Sequence, residues 1–91
     1  MPEILPISVI IATRNREERL GQTLESLFRQ SHIPAEVLVC DASDDFKEIV
    51  FPSEKIPEGI FFEHWLAEGR GAAPQRNEAF LRSSQPFVLF A

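Results

Sequence analysis

Residues 7–45 of the 91-residue chain read ISVIIATRNREERLGQTLESLFRQSHIPAEVLVCDASDD, and this stretch decides the fold. Its apolar run Ile7–Ile11 predicts a strand covered on both faces, as in a parallel sheet. A helical segment follows, and then a second apolar run, Val37–Cys40. Ligands of open α/β sheets bind at the carboxyl ends of the strands, so polar residues just after these runs are candidates for one site. They are Thr13, Arg14, Asn15 and Asp41.

The segment between the two strands has the periodicity of an amphipathic helix. Its apolar side chains form one stripe and are Leu20, Leu24, Leu27 and Phe28. Asn15 followed by Glu18 predicts a capping box, in which Asn15 is the N-cap and the Glu18 side chain reaches back to its backbone N–H. The helix is expected to end at Ser31–Pro34, which places His32 at a helix end.

The second half of the chain continues the alternation of strands and helices. We expect Asp44 and Asp45 to cap a short helix at Phe46–Val50, because acids favour helix N-termini. A proline-rich loop is predicted at Phe51–Gly59 and a third strand at Ile60–Leu66.

The last predicted helix and strand complete the pattern. Pro74 is tolerated only in the first turn of a helix, so a helix is expected from Ala73 to Ser84. Asn77 is expected on its buried face, together with Ala73, Phe80 and Leu81. A fourth strand is predicted at Pro86–Ala91. The alternation indicates an open, mostly parallel α/β sheet with flanking helices, similar to half of a Rossmann fold.

Composition bounds the class of protein. With 44% hydrophobic and 25% charged residues, a folded domain is expected. The net charge of −5 argues against a nucleic-acid partner but not against a small anion held by local arginines. Cys40 is the single cysteine, so it forms no internal disulfide, and a buried thiol is expected. His64 is expected to be structural. Because MPEILPIS lacks the features of a signal peptide and no membrane segment is evident, a cytoplasmic location is expected.

Several residues have the chemistry that a nucleotide diphosphate requires. Asp41 can accept a ring N–H of a base, and Arg14 can stack on a base or bind a phosphate. Gly71 allows close backbone approach, and the helix start at Ala73 offers N–H groups to an anion. Arg76 lies in the same helix. Each residue alone is equally typical of a turn, a cap or a solvated surface, but all are predicted at one edge of the sheet.

Four segments together resemble a known family, and they are ISVIIATRNR, EVLVCDASDD, GRGAAPQRNEAF and FVLFA. The second is similar to the motif V-V-D-D-G-S-T-D and the third to G-x-x-x-A-R-N. In this order they resemble the N-terminal part of the nucleotide-binding domain of family 2 glycosyltransferases, inverting enzymes with a GT-A fold. The chain departs from the motifs at Cys40, Ala42, Pro74 and Gln75, and Arg14 replaces a common aromatic residue.

The resemblance implies roles for individual residues. Ala12, Thr13 and Arg14 would contact the base and ribose, and Asp41 the uracil ring. Arg76 would lie near the nucleotide, and Asn77 would pack inward.

The resemblance also implies a function. Residues 1–91 would be a partial domain that binds a nucleotide diphosphate sugar, a UDP-sugar, for transfer by a longer protein of polysaccharide synthesis. That protein would use Mn²⁺ or Mg²⁺, bound by a D-x-D motif after Ala91, and could be membrane-associated. No metal ligand or catalytic residue is assigned in this chain, which alone is expected to be inactive. In the family's fold the strand 86–91 would lie beside the strand Ile7–Thr13. We also expect homo-oligomers through strand 86–91, which would be uncovered in this chain.

Three other functions remain open. A dinucleotide-binding Rossmann domain would carry G-x-G-x-x-G after its first strand, which ATRNREERLG lacks. A receiver-like interaction module would have acids where Arg14 and Arg16 stand. A non-catalytic nucleotide-binding homologue of the glycosyltransferases would share the same motifs.

Overall fold

The computed structural model describes residues 3–47 and 55–91. In chain order the elements are β1 (Glu3–Thr13), α1 (Glu17–Phe28), β2 (His32–Asp41), β3 (Phe61–Leu66), α2 (Ala72–Arg82) and β4 (Phe87–Phe90). The strands form one sheet in the order β3-β2-β1-β4, and every neighbouring pair is parallel. The predicted class, an open parallel α/β sheet with flanking helices, is confirmed.

The core lies on both faces of the central strands. On one face the predicted stripe of α1 packs against β1 and β2, and Leu20, Leu24 and Phe28 are buried. On the other face Ala79 of α2 packs against Ile10 and the strand β2. Each large aliphatic side chain removed from water contributes about 1.5–3 kcal/mol. The near-continuous apolar runs of β1 and β2 therefore reflect a sheet covered on both faces.

A buried acid secures the connection between α2 and β4. Glu36 of β2 is 5% exposed, and its Oε1 accepts a hydrogen bond from the Ser8 hydroxyl at 2.6 Å. The backbone N–H and the hydroxyl of Ser84 donate to the two oxygens of the same carboxylate, each at 2.9 Å. Hydrogen bonds offset the cost of burying this acid.

The predicted cap of the first helix is wrong. α1 begins at Glu17, and its N-cap residue is Arg16, which makes no side-chain capping hydrogen bond. Asn15 instead has a positive φ of 54°, a conformation that asparagine tolerates better than most residues. Its side-chain amide is engaged by Asp44 and is therefore not available to cap the helix.

The predicted buried face of the second helix is also wrong. Asn77 and Ala73 are exposed, and Phe80 and Leu81 are 50% and 76% exposed. The buried residues of α2 are Gln75 and Ala79. The prediction placed the apolar residues on the buried face, but the side of α2 that faces the sheet carries Gln75.

The remaining boundaries follow the predictions with shifts of a few residues. His32 does not end a helix but begins β2, where its Nε2 lies 3.2 Å from Glu3 Oε2. Asp44 and Asp45 form a turn. The end of the short helix predicted at Phe46–Val50 and the start of the loop predicted at Phe51–Gly59 lie outside the described residues.

The strand β4 lies beside β1, as expected, with Ile7 opposite Phe87 and Ile10 opposite Phe90. Val88 packs into the core, but Phe87 and Leu89 remain 64% and 56% exposed. In the part of the chain described, neither helix has the length and apolar character needed to cross a membrane.

Candidate functional site at the carboxyl edge of the sheet

The carboxyl ends of three strands lie at one level. Thr13 of β1 is opposite Asp41 of β2, which in turn is opposite Leu66 of β3. The backbone beyond them stays joined, because Ala42 N donates to Thr13 O at 2.9 Å and Ala67 N donates to Asp41 O at 2.7 Å. The loops that leave the three strands therefore begin side by side.

A cleft of about 370 Å³ opens at this edge, between the end of β1 and the start of α2. Its lining residues are Ala12, Thr13, Arg14, Arg16, Ala72, Gln75 and Arg76. Of the six residues predicted to contact a nucleotide, the cleft brings together Ala12, Thr13, Arg14 and Arg76. Asp41 and Gly71 do not line it but adjoin it, Asp41 opposite Thr13 in the sheet and Gly71 at the N-cap of α2.

Positive charge gathers at this cleft although the whole chain carries −5. Arg14, Arg16 and Arg76 contribute to its walls. Arg14 and Arg70 both reach Asp44 Oδ1, at 3.2 and 3.4 Å. Hydrogen bonds from Asn15 and Arg14 lower the pKa of Asp44. One carboxylate thus faces several guanidinium groups, which leaves the edge suited to an anion.

The loops after β1 and β2 are interlocked. Asp44 N donates to Asn15 Oδ1 at 3.0 Å, and Asn15 Nδ2 donates back to Asp44 Oδ2 at 3.1 Å. Asn15 N also donates to the Ser43 hydroxyl at 2.8 Å. These bonds hold Arg14, one residue before Asn15, at the mouth of the cleft.

Asp41 is almost fully buried, and its carboxylate is hydrogen-bonded to two residues, Ser43 and His64. Its Oδ1 accepts from the backbone N–H of Ser43 at 2.9 Å and from the Ser43 hydroxyl. Its Oδ2 lies 2.8 Å from His64 Nε2, and the His64 side chain is 2% exposed. An ionised carboxylate only accepts hydrogen bonds, so Nε2 is the donor. The expected structural role of His64 agrees with this burial.

Gln75 is a site residue that the sequence did not single out as functional. It is 4% exposed, and its Nε2 donates to Thr13 O at 3.0 Å and to Cys40 O at 2.9 Å. Its Oε1 accepts from Gly71 N at 3.2 Å. One amide therefore joins the ends of β1 and β2 to the start of α2. Its only signal in the sequence is a departure from the small residue that the family motif has there.

Glu78, one turn further along α2, holds the loop that follows β3. Its carboxylate accepts from Trp65 Nε1, from Glu68 N at 3.0 Å and from Cys40 Sγ at 3.4 Å. Burial acts to raise the pKa of Glu78, but these donors hold it below its ordinary value. Burial and the Glu78 carboxylate raise the pKa of the Cys40 thiol to about 12, so Cys40 is an inert thiol, as expected.

The start of α2 faces the cleft. Gly71 has a φ of 111°, which strains any residue with a side chain. The first N–H groups of a helix have no partner within it, and here they belong to Ala72 and Ala73, because Pro74 has none. Ala72 lines the cleft, so this positive end of the helix dipole adds to the arginines.

Comparison with known proteins identifies the family. The model of the family described as "Glycosyl transferase family 2" matches residues 8–91. The chain belongs to glycosyl transferase family 2. It is also 34% identical over 86 residues to a Bacillus subtilis (strain 168) protein named "Putative teichuronic acid biosynthesis glycosyltransferase TuaG". This match covers 92% of the chain and 34% of the relative, so the chain spans about a third of that relative's length. No solved structure matches significantly.

A divalent ion is implied by the family, but the residues at hand do not form a site for it. Across residues 3–47 and 55–91, no group of three or more His, Cys, Asp or Glu side chains is arranged to hold a metal ion. The acids nearest the cleft already accept hydrogen bonds within the protein: Asp41 from Ser43 and His64, and Asp44 from Asn15 and Arg14. The chemistry of this family 2 cleft is therefore that of arginines and backbone N–H groups.

The amide of Gln75 generates a prediction about stability. Gln75→Ala removes the side-chain donor to the carbonyls of Thr13 and Cys40 and the acceptor for the N–H of Gly71, while Thr13 O keeps its bond from Ala42 N. We expect the free energy of unfolding to fall by about 2–4 kcal/mol, because each unsatisfied buried polar group costs about 1–3 kcal/mol. Urea denaturation followed by circular dichroism measures it. Asn77→Ala, on the exposed side of the same helix, is the matched control and should change stability by less than about 0.5 kcal/mol. Equal effects of the two substitutions would contradict the assigned role of Gln75.

Proposed function

We propose that residues 1–91 form the donor-binding part of an inverting family 2 glycosyltransferase and bind a nucleotide diphosphate sugar, a UDP-sugar, at the carboxyl edge of the sheet. The observation that carries the proposal is the convergence of Ala12, Thr13, Arg14 and Arg76 on one cleft. These residues come from two segments more than fifty positions apart in the sequence. The site lies where open α/β sheets bind their ligands.

Each part of the ligand has a chemical partner in the proposal. The uracil ring N–H donates to Asp41, and the base and ribose lie over Ala12, Thr13 and Arg14. The diphosphate meets Arg76 and the start of α2 at Gly71, where helix N–H groups and guanidinium groups stabilise negative charge. In sugar transfer the diphosphate leaves with additional charge, so the same groups would favour the transition state.

Transfer itself is assigned to a longer protein. In an inverting displacement, a base takes the proton of the acceptor hydroxyl while the bond between sugar and diphosphate breaks. No described residue is assigned as that base, and the divalent ion of the family stays a prediction for residues outside this chain. The cytoplasmic location, membrane association of a longer protein and a role in polysaccharide synthesis also stay predictions.

The base contact is tested by Asp41→Asn. The substitution replaces one acceptor oxygen with a donor, so the affinity for UDP should fall by about 1–3 kcal/mol. Isothermal titration calorimetry measures it. Asp45→Asn makes the same change at an exposed turn residue four positions further along the chain and should leave the affinity unchanged. If Asp41→Asn binds UDP as tightly as the unsubstituted chain, Asp41 does not belong to the site.

The assignment of transfer to a longer protein is tested by an activity assay. We expect the 91-residue chain to bind UDP but to release no sugar from UDP-sugars, with or without Mn²⁺ or Mg²⁺. Chromatography of radiolabelled donor after prolonged incubation detects either transfer or hydrolysis. Turnover that depends on the metal ion would show that the chain has a complete active site.

We also infer that the chain associates with a second copy through β4. Phe87 and Leu89 are more than half exposed, and Phe90 is 48% exposed. Within the described residues β4 pairs only with β1, so its other edge offers backbone groups to a further strand. A two-fold symmetric pair would place one β4 against the other and cover both sets of apolar side chains.

Sedimentation velocity at several concentrations tests this association. The chain should shift from monomer to dimer as its concentration rises, and Phe87→Asp should hold it as a monomer, because a buried unpaired charge is costly. Phe61→Asp is the matched control: Phe61 is 53% exposed on β3, the opposite edge strand, and its substitution should leave the dimer intact. A monomer at all concentrations, or equal effects of both substitutions, would refute the inference.

A further inference from the structure

The number of hydrogen bonds that Asp41 already accepts limits what it can still bind. A carboxylate has about four acceptor positions, two on each oxygen. Both positions of Oδ1 are taken by Ser43, through its backbone N–H and its hydroxyl. On Oδ2 one position is taken by His64. Among the described residues nothing else donates to this carboxylate, so one position on Oδ2 stays open, on a side chain 9% exposed.

One open position suits one kind of base edge. Uracil presents a single ring N–H between two carbonyl groups. Guanine presents a ring N–H and an amino group side by side, a pair of donors that a carboxylate takes with both oxygens at once. Because Oδ1 is already saturated, Asp41 can satisfy the single donor of uracil but only half of the guanine edge. A donor of guanine left without a partner in the site would cost binding energy.

His64 is the residue that keeps this arrangement in place. It stands in β3 opposite Val39, and its side chain is buried beside Asp41. The ring of Phe46, on the loop after β2, packs against it in a tilted arrangement, with 5.1 Å between ring centroids and 58° between ring planes. Strand pairing on one side and the aromatic ring on the other hold the imidazole, and Nε2 in turn holds Oδ2 at 2.8 Å.

We propose that His64 is a positioning residue that selects uracil over guanine: by donating from Nε2 to Oδ2 of Asp41, it fixes the carboxylate so that one acceptor position is left for the ligand. This inference rests on the proposed binding of a nucleotide diphosphate at the carboxyl edge. His64 itself does not touch the ligand. It acts through the orientation and the remaining capacity of Asp41.

The experiment is calorimetric titration of the chain and its variants with UDP and with GDP. We expect the unsubstituted chain to prefer UDP by about tenfold or more, the effect of one hydrogen bond. His64→Gln keeps an N–H donor and should retain most of the preference. His64→Leu removes the donor that holds Oδ2 and frees the carboxylate to turn, so that both oxygens become available to either base. The affinity for UDP should then fall about tenfold, and the ratio of the two affinities should approach one. His32→Leu, the same substitution at an exposed histidine, is the matched control and should leave both affinities unchanged.

The ratio of affinities separates positioning from a merely structural role, because a general loss of folding weakens both ligands alike. An unchanged ratio in His64→Leu, or a loss in His64→Gln as large as in His64→Leu, would overturn this inference while UDP binding by the unsubstituted chain still supports the proposed function. Absence of UDP binding by the unsubstituted chain would instead overturn the proposed function, and this inference with it.

A spectroscopic measurement decides the question even if His64→Leu does not fold. Long-range ¹H–¹⁵N correlation spectra report which ring nitrogens of His64 carry a proton. We expect a proton on Nε2 in the unsubstituted chain and a changed Nε2 shift in Asp41→Asn. A ring with a bare Nε2 would overturn the proposal.

Discussion

The register of β2 in the sheet is the constraint on which the rest of the structure depends. β2 is hydrogen-bonded to β1 on one side and to β3 on the other, and its residues from Glu36 to Asp41 are buried. A slip of one residue would turn Val37 and Val39 away from α1 and move every neighbour to the wrong face. With that slip excluded, Thr13 and Asp41 can only end at the same level.

Polar side chains of α2 supply hydrogen-bond partners for the backbone groups at the aligned strand ends. Loops that leave a buried sheet carry backbone groups that need partners, and water is partly excluded there. Gln75 satisfies the carbonyls of Thr13 and Cys40, and Glu78 satisfies the N–H of Glu68. Both come from the sheet-facing side of α2. The cleft is therefore held open by bonds within the protein before any ligand arrives, which reduces the entropy lost on binding.

The helices and strands that have a periodic pattern of apolar residues could be predicted from the sequence. The stripe of α1, the apolar strands and the position of β4 beside β1 follow from periodicity and from the resemblance to the family, and the structure confirms them. Bonds between distant residues could not be predicted in this way. His64 meets Asp41 across 23 positions and Gln75 meets Thr13 across 62, and only the register of the sheet brings them together.

Two of the errors in the predicted elements have the same origin. The sequence pattern predicts Asn15 as the cap of the helix that follows it, and the apolar residues Phe80 and Leu81 predict the buried face of α2. Both inferences used neighbours in the sequence alone. In the structure, a contact with Asp44 decides the role of Asn15, and hydrogen bonds to strand ends turn Gln75 inward. At Asn15 and at Gln75, tertiary contacts outweigh the local preferences of the sequence. Both residues lie at the candidate site.

The central claim is that a nucleotide diphosphate binds at the carboxyl edge of this sheet. Backbone amide shifts of the ¹⁵N-labelled chain, followed by NMR during titration with UDP, test it most directly. The account predicts saturable shifts confined to residues 12–16, 41–44 and 70–76, with residues 32–36 and 83–86 at the amino edge unchanged. Shifts at the amino edge, or no saturable shifts at millimolar UDP, would contradict it.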